Sequence, residues 1–203
     1  KGRKAGVLAP AAAFSFYPGK NLGAYGDAGA VVTSDGGLAK RLRLLRNHGM
    51  EVKNRHEILG INARLEAFQG AVLSVKLKWL EEWNAARRRH AQAYRKALAG
   101  IPGLSIVEER PDCRSNYHLF VVRHPRRDAL LEHLRSRGIQ ADIHYPVASH
   151  LQPACGAAMM KPGSLPVAER AVGEILSLPM FPELTGAQID RVAAALRDFT
   201  GAA

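Results

Sequence analysis

Cysteine is scarce: 203 residues contain two, Cys113 and Cys155, far apart and in no CxxC pairing. That excludes a disulfide framework and a cysteine-based zinc site, gives no metal centre to expect, and suits a reducing compartment. Long apolar runs are missing as well. No stretch approaches the roughly 20 residues that a membrane-crossing helix needs, and no secretory leader is visible, so the cytoplasm is the default address and no membrane partner is expected. Acidic residues are outnumbered, 18 against 29 Lys and Arg, for a net charge of +11. Such a balance raises nucleic acid as a partner. Here, however, the bases are spread over residues 40–46, 87–89, 95–96 and 126–137, mostly as solvated helix faces. Aromatics are only 6% of the chain and are not interleaved with the bases as a stacking platform requires. Small anionic ligands explain the charge more economically.

What is present is enough apolar residue, 47%, for one good core or two small ones. The most informative stretch is FSFYPGKNLGAYGDAGAVVT, Phe14 to Thr33. Two strand-like runs, residues 12–17 and 28–34, flank a loop with Pro18, Gly19, Gly23, Gly26 and Gly29. Proline stops the first strand, and the glycines allow backbone shapes that larger residues resist. In the middle sits one amine, Lys20, five residues after the Ser15 hydroxyl. A lysine in a stiff loop between strands suits covalent chemistry with a carbonyl, once its amine has shed a proton. Taken alone, a lysine in a glycine-rich loop reads more readily as a solvated surface residue.

The remaining chain gives elements in order. SDGG (residues 34–37) breaks the strand and opens a helix over 38–46, with Leu38, Leu42 and Leu45 at helical spacing. His48 and Gly49 end it. Residues 50–62 show no period and read as an irregular loop. From Arg64 onward Leu65, Phe68, Val72, Val75, Trp79, Trp83, Ala86, Tyr94 and Leu98 recur at three and four. That spacing predicts one long amphipathic helix over 65–100, spanning about 50 Å and bridging two domains, with the tryptophans as core anchors. Strands follow over 104–107, 117–123 and 139–144, helices over 128–136, 166–176 and 185–199, the last opened by a Thr185/Gln188 capping box. The expected organisation is 1–64, a 65–100 helix, and an α/β domain over 101–203.

The segments FSFYPGKNLGAYGDAGAVVTSD, LRNHG, GINARLEAFQ, IHYPVASHLQPA and LPVAERAVGEILSLPMFPELT resemble consecutive blocks of the DegT/StrS family of sugar aminotransferases, in order and at compatible spacing. The resemblance covers nearly the whole chain. It implies an α/β protein of the type I aminotransferase fold, with pyridoxal 5′-phosphate as cofactor. Family chains are about twice this length, and Lys1 falls near their middle. The chain is thus expected to be the C-terminal half: residues 1–64 trail the large cofactor domain, and 101–203 form the small one. The aspartate at the ring nitrogen, the ring-stacking residue and the first phosphate-binding turn are expected upstream of Lys1.

The resemblance also implies roles. Lys20 falls at the family's cofactor-tethering position, where the same amine moves protons. Ser15 falls at the position whose hydroxyl meets the cofactor phosphate; alone it reads as a strand serine with a satisfied hydroxyl. Asn62 matches the asparagine that reaches the phosphate across a homodimer interface; its own sequence setting suggests a helix N-cap. Arg64 could serve a carboxylate or diphosphate, or stand solvated in the first helical turn. His144, Tyr145 and His150 match the loop at the mouth of the site that touches the sugar, although isolated histidines at a domain edge are commonly just solvated. Ala148 stands where the family often has a second proline. The implied reaction passes an amino group from an amino-acid donor, glutamate, to a keto group on a nucleotide-linked sugar. Alternatives are a family dehydratase, in which histidine replaces the lysine, a non-catalytic remnant of the fold, or an incompetent fragment.

Overall fold

The computed structural model describes residues 2–156 and 160–201. Lys1, at the start of the expected 1–64 segment, and Ala202 and Ala203, at the end of the expected small domain, lie outside the described residues. The chain divides into two compact units, Lys1–Glu82 and Trp83–Ala203. The boundary lies within the predicted 65–100 helix.

In the first unit β1 (Ala11–Ser15) pairs antiparallel with β2 (Gly29–Thr33), Ala11 facing Thr33 and Ser15 facing Gly29. The Thr33 hydroxyl donates to the Pro10 carbonyl and accepts from the Asp35 amide. Asp35 in turn caps α1 (Gly36–Arg46), its side chain accepting from the Leu38 amide at 3.0 Å. The helix ends as its sequence predicts, with His48 and Gly49 at positive φ (56° and 75°) and the Gly49 amide on the Leu44 carbonyl. The next two carbonyls, of Leu45 and Arg46, are taken by the amides of Ile61 and Ala63. The chain can return that closely because the region expected to be irregular contains a small hairpin, β3 (Met50–Val52) with β4 (Arg55–His56), turned at Asn54 with φ 65°.

The helix predicted over 65–100 is two helices. α2 (Ala67–Leu77) stops at Lys78, and α3 (Leu80–Ala97) starts two residues later. The local reason is a tightened last turn, with the Trp79 amide bonded to the Lys76 carbonyl. A spacing of three and four survives such a break, so periodicity alone did not reveal it. Nor is Trp79 a core anchor in this chain, being 54% exposed.

The second unit has a contiguous core. A three-stranded antiparallel sheet runs in the order β5 (Ser105–Ile106), β6 (Phe120–Arg123), β7 (Ile175–Leu178). Phe120, Val122, Leu176 and Leu178 are buried with Ala91, Tyr94 and Leu98 of α3 and its end, and with Leu130 and Leu134 of α4 (Arg127–Ser136). Ile189, Val192 and Leu196 of α6 (Gly186–Gly201) join them. The Thr185/Gln188 box forms in both directions, Thr185 amide to Gln188 Oε1 and Gln188 amide to Thr185 Oγ1. The helix expected over 166–176 is shorter: α5 (Pro166–Glu174) gives way to β7, a strand absent from the sequence reading. Conversely, the strand expected over 139–144 reduces to one bridge, Asp142 against Ser177, on the outer edge of β7. Among the described residues no helix is long and apolar enough to cross a membrane.

Arg87 of α3 is buried, and its Nη1 donates to the carbonyls of Tyr117, His118 and Met180, while its buried Nε has no hydrogen-bond partner among the described residues. Tyr94 is wholly buried, stacked on Phe120 at 4.8 Å, and its hydroxyl donates to the Pro179 carbonyl at 3.0 Å. Burial pushes its phenol pKa up, keeping it a donor. Tyr94→Phe leaves that carbonyl unpartnered and should cost about 1–3 kcal/mol. Urea unfolding of the full-length protein, followed by a probe in this unit, measures it; an unchanged midpoint would show that the bond contributes nothing net.

Candidate active site

The predicted residues fall on both units, three or four to each. In the first unit the turn after β1 is built around Lys20. The hairpin ladder continues past Ser15 through the Phe16 amide on the Ala28 carbonyl, and the Ala24 amide returns to the Phe16 carbonyl, both at 2.8 Å. Within that closure the Lys20 amide bonds to the Tyr17 carbonyl, a turn that Pro18 favours at its second position. Gly23 passes so close to the Pro18 carbonyl that a Cβ would collide with it. Ala24 is 1% exposed, and α2 holds the loop from one side: Lys76 Nζ donates to the Gly23 carbonyl and Gln69 Oε1 accepts from the Tyr25 amide. Lys20 is thereby half-buried on a fixed backbone rather than on a free surface loop.

Ser15 ends β1 exposed, its Oγ accepting from the Tyr17 amide at 3.3 Å, which leaves the hydroxyl hydrogen to donate. Asn62 is not a helix cap. It sits in the strand-like return, bridged to Asn47, and the residue at the cap of α2 is Glu66. Arg64 likewise lies before the helix, and its Nε donates to Asn62 Oδ1 at 3.1 Å. With its oxygen so engaged, Asn62 presents its NH₂ as the remaining donor end.

In the second unit His144 and Tyr145 follow the Asp142 bridge, and His150 lies in the short helical turn Ser149–Leu151. His144 Nδ1 meets Ser177 Oγ at 3.0 Å, and Ser177 is a buried residue of β7. Tyr145 is 66% exposed, its ring edge-on to His144. His150 Nε2 meets Glu169 Oε1 at 3.1 Å. Neither histidine is simply solvated. Sequence reading missed both partners. Glu169 carried a signal: four residues past Leu165 in a helix opened by proline, it can reach back to its own helix start, and it does. Ser177 carried none, because β7 itself went unread. Among the described residues no group of three or more His, Cys, Asp or Glu could hold a metal ion.

The first unit thus presents an amine on a glycine-shaped turn, and the second a loop whose two histidines are each held by a side-chain partner. The chain belongs to the DegT/DnrJ/EryC1/StrS aminotransferase family, whose model matches residues 1–197. It is 51% identical over 197 residues to the erythromycin biosynthesis sensory transduction protein EryC1 of Saccharopolyspora erythraea, covering 97% of this chain and 54% of that protein. It is 48% identical to the dTDP-3-amino-3,4,6-trideoxy-α-D-glucose transaminase of Streptomyces venezuelae, covering 98% of this chain and 52% of the relative. Among solved structures it resembles S. venezuelae DesV in complex with a ketimine intermediate, with a TM-score of 0.91 and 48% identity over 98% of this chain and 54% of that one. The α/β fold class implied by the sequence is that of these neighbours. The chain spans about half the length of the relatives it matches.

The loop closure generates a test. Gly23→Ala should displace the Pro18 carbonyl at a cost of about 1–3 kcal/mol, the usual range for overpacking. Hydrogen exchange at the Ala24 amide of the full-length protein should quicken about tenfold or more, with amides of β6 and β7 unchanged. Unaltered exchange at Ala24 would mean that glycine is not required there.

Proposed function

We propose that the protein containing this chain is a pyridoxal 5′-phosphate-dependent aminotransferase that moves an amino group from glutamate to a keto carbon of a nucleotide-linked sugar. The carrying observation is Lys20, half-buried on a turn whose backbone is fixed by Gly23 and closed by Ala24. In the dehydratases of this family, as the resemblance has it, histidine stands at that position, so Lys20 speaks for transamination. A non-catalytic remnant would have no use for so constrained an amine.

The residues present fit the cofactor by their chemistry: a primary amine for an aldehyde carbon, and a hydroxyl and a carboxamide NH₂ for a phosphate. When bound, the cofactor supplies an electron sink for the carbon that loses its proton. Lys20 Nζ would hold the aldehyde carbon of the bound cofactor and, as a free amine, would be the base that takes and returns that proton. Ser15 Oγ donates to the phosphate. Asn62, turned by Arg64, donates its NH₂ to the phosphate in a second copy of the chain, which makes the enzyme a homodimer with shared sites. Arg64 keeps its terminal nitrogens for a carboxylate or diphosphate. His144, Tyr145 and His150 meet the sugar, the two histidines held by Ser177 and Glu169. We infer further that the chain corresponds to the C-terminal half of such an enzyme, working in the cytoplasm, and that the 203 residues alone do not transaminate.

Lys20→Ala in the full-length enzyme should abolish transamination, since tether and proton carrier are lost together; general base catalysis alone contributes about 10²–10⁴-fold. Borohydride reduction with pyridoxal phosphate and peptide mapping should label Lys20 in the unaltered enzyme. A single label on another lysine would overturn the assignment. For the shared site, pairing a Lys20→Ala chain with an Asn62→Ala chain should restore one working site per mixed dimer. Hybrids as inactive as either parent variant would place Asn62 in its own chain's site instead.

A further inference from the structure

Two amides and an imidazole converge on one carboxylate in the second unit. Glu169, in the first turns of α5, accepts from the Gly163 amide with both oxygens (3.0 and 2.8 Å) and from the Leu165 amide at 3.0 Å. The same Oε1 pairs with His150 Nε2 at 3.1 Å, and the two side chains are only 21% and 8% exposed. Capping α5 accounts for the Leu165 bond. It does not account for an imidazole arriving from nineteen residues earlier in the chain. Gly163 sits at φ 88°, a conformation natural to glycine, as it meets the carboxylate. The Gly163 and Leu165 amides, and then His150, hold the Glu169 carboxyl below its usual range, so it remains an acceptor.

A neutral imidazole has one donor and one acceptor nitrogen, and the partner of one decides the role of the other. A carboxylate at Nε2 calls for the hydrogen there, which leaves Nδ1 as an acceptor. Among the described residues Nδ1 of His150 has no hydrogen-bond partner, whereas Nδ1 of His144 is engaged by Ser177. A sugar hydroxyl is the complementary donor. We propose that Glu169 is a positioning residue for sugar recognition: it anchors the His150 loop to the start of α5 and fixes the ring so that Nδ1 accepts from a hydroxyl of the sugar. This rests on the reading of His150 as a sugar contact, and Glu169 itself touches no substrate.

The test uses the full-length enzyme and dTDP-3-amino-3,4,6-trideoxy-α-D-glucose as probe, run against 2-oxoglutarate, with circular dichroism to confirm folding. Histidine ring ¹⁵N shifts should show His150 as a single Nε2–H tautomer, and a tautomer mixture in Glu169→Gln. That variant keeps the size of the side chain and converts one acceptor into a donor. KM for the probe should rise about tenfold, the effect of one lost hydrogen bond, with a far smaller change in kcat. His150→Ala should raise KM similarly, and the double variant should be no worse than His150→Ala alone, because Glu169 acts through that ring. Multiplying effects, or an unchanged His150 ring signal and KM in Glu169→Gln, would overturn the proposal. If His150→Ala leaves KM unchanged while Glu169→Gln still mixes the tautomers, the reading of His150 as a sugar contact fails, and the proposal with it.

Discussion

The hydrogen bond from the Ala24 amide to the Phe16 carbonyl closes the turn between β1 and β2, and the placement of Lys20 depends on it. A backbone amide buried beside a 1%-exposed alanine must find an acceptor, and only a chain that folds back at Gly23 reaches one. The proline, the glycine and the buried alanine thus answer one demand. α2 reinforces them by supplying a donor to Gly23 and an acceptor to Tyr25. An amine that must meet one particular carbon gains from such a mounting, because small displacements of a reacting group are costly.

The two units earn their order differently. The second buries a continuous set of side chains from helices and sheet. In the first, Ala24 and Leu73 are the buried apolar residues, while Phe14, Val31 and Val32 of the hairpin stay exposed on its two faces. Hydrogen bonding rather than burial organises this unit: the cap at Asp35, the carbonyls of α1 taken by residues 61 and 63, and the turn around Lys20. A two-stranded hairpin with apolar residues on both faces is marginal in water by itself.

That contrast explains how much was legible in the sequence. The lysine turn could be read because proline and glycine act locally, and the Thr185/Gln188 box because its residues are three apart. The family blocks gave the fold class, which the solved neighbours share, and nominated the candidate site residues. What could not be read depended on distant partners. β7 looks like the tail of a helix until β6 claims it, and residues 139–144 look like a strand although β7 offers them one bridge. The break at Lys78 is a matter of backbone tightening, to which a pattern of apolar residues is blind. Asn62 has the chemistry of a cap, but the helix starts four residues later than its position would need.

Arg87 adds a different kind of consequence. Among the described residues no carboxylate pairs with it directly, Glu183 acting only through space; three carbonyl dipoles hold it, tying α3 to the segments before β6 and after β7. Dipoles at hydrogen-bond distance in a buried setting are scarcely screened by dissolved ions, unlike the exposed Lys40–Glu51 pair of the other unit at 2.9 Å. The second unit therefore holds this buried cation, unlike Arg127 with its exposed partner Asp128, mainly by contacts that ionic strength scarcely touches. A cell whose salt content swings would loosen the surface pairs of this protein and leave the ties between α3 and the flanks of β6 and β7 as they were.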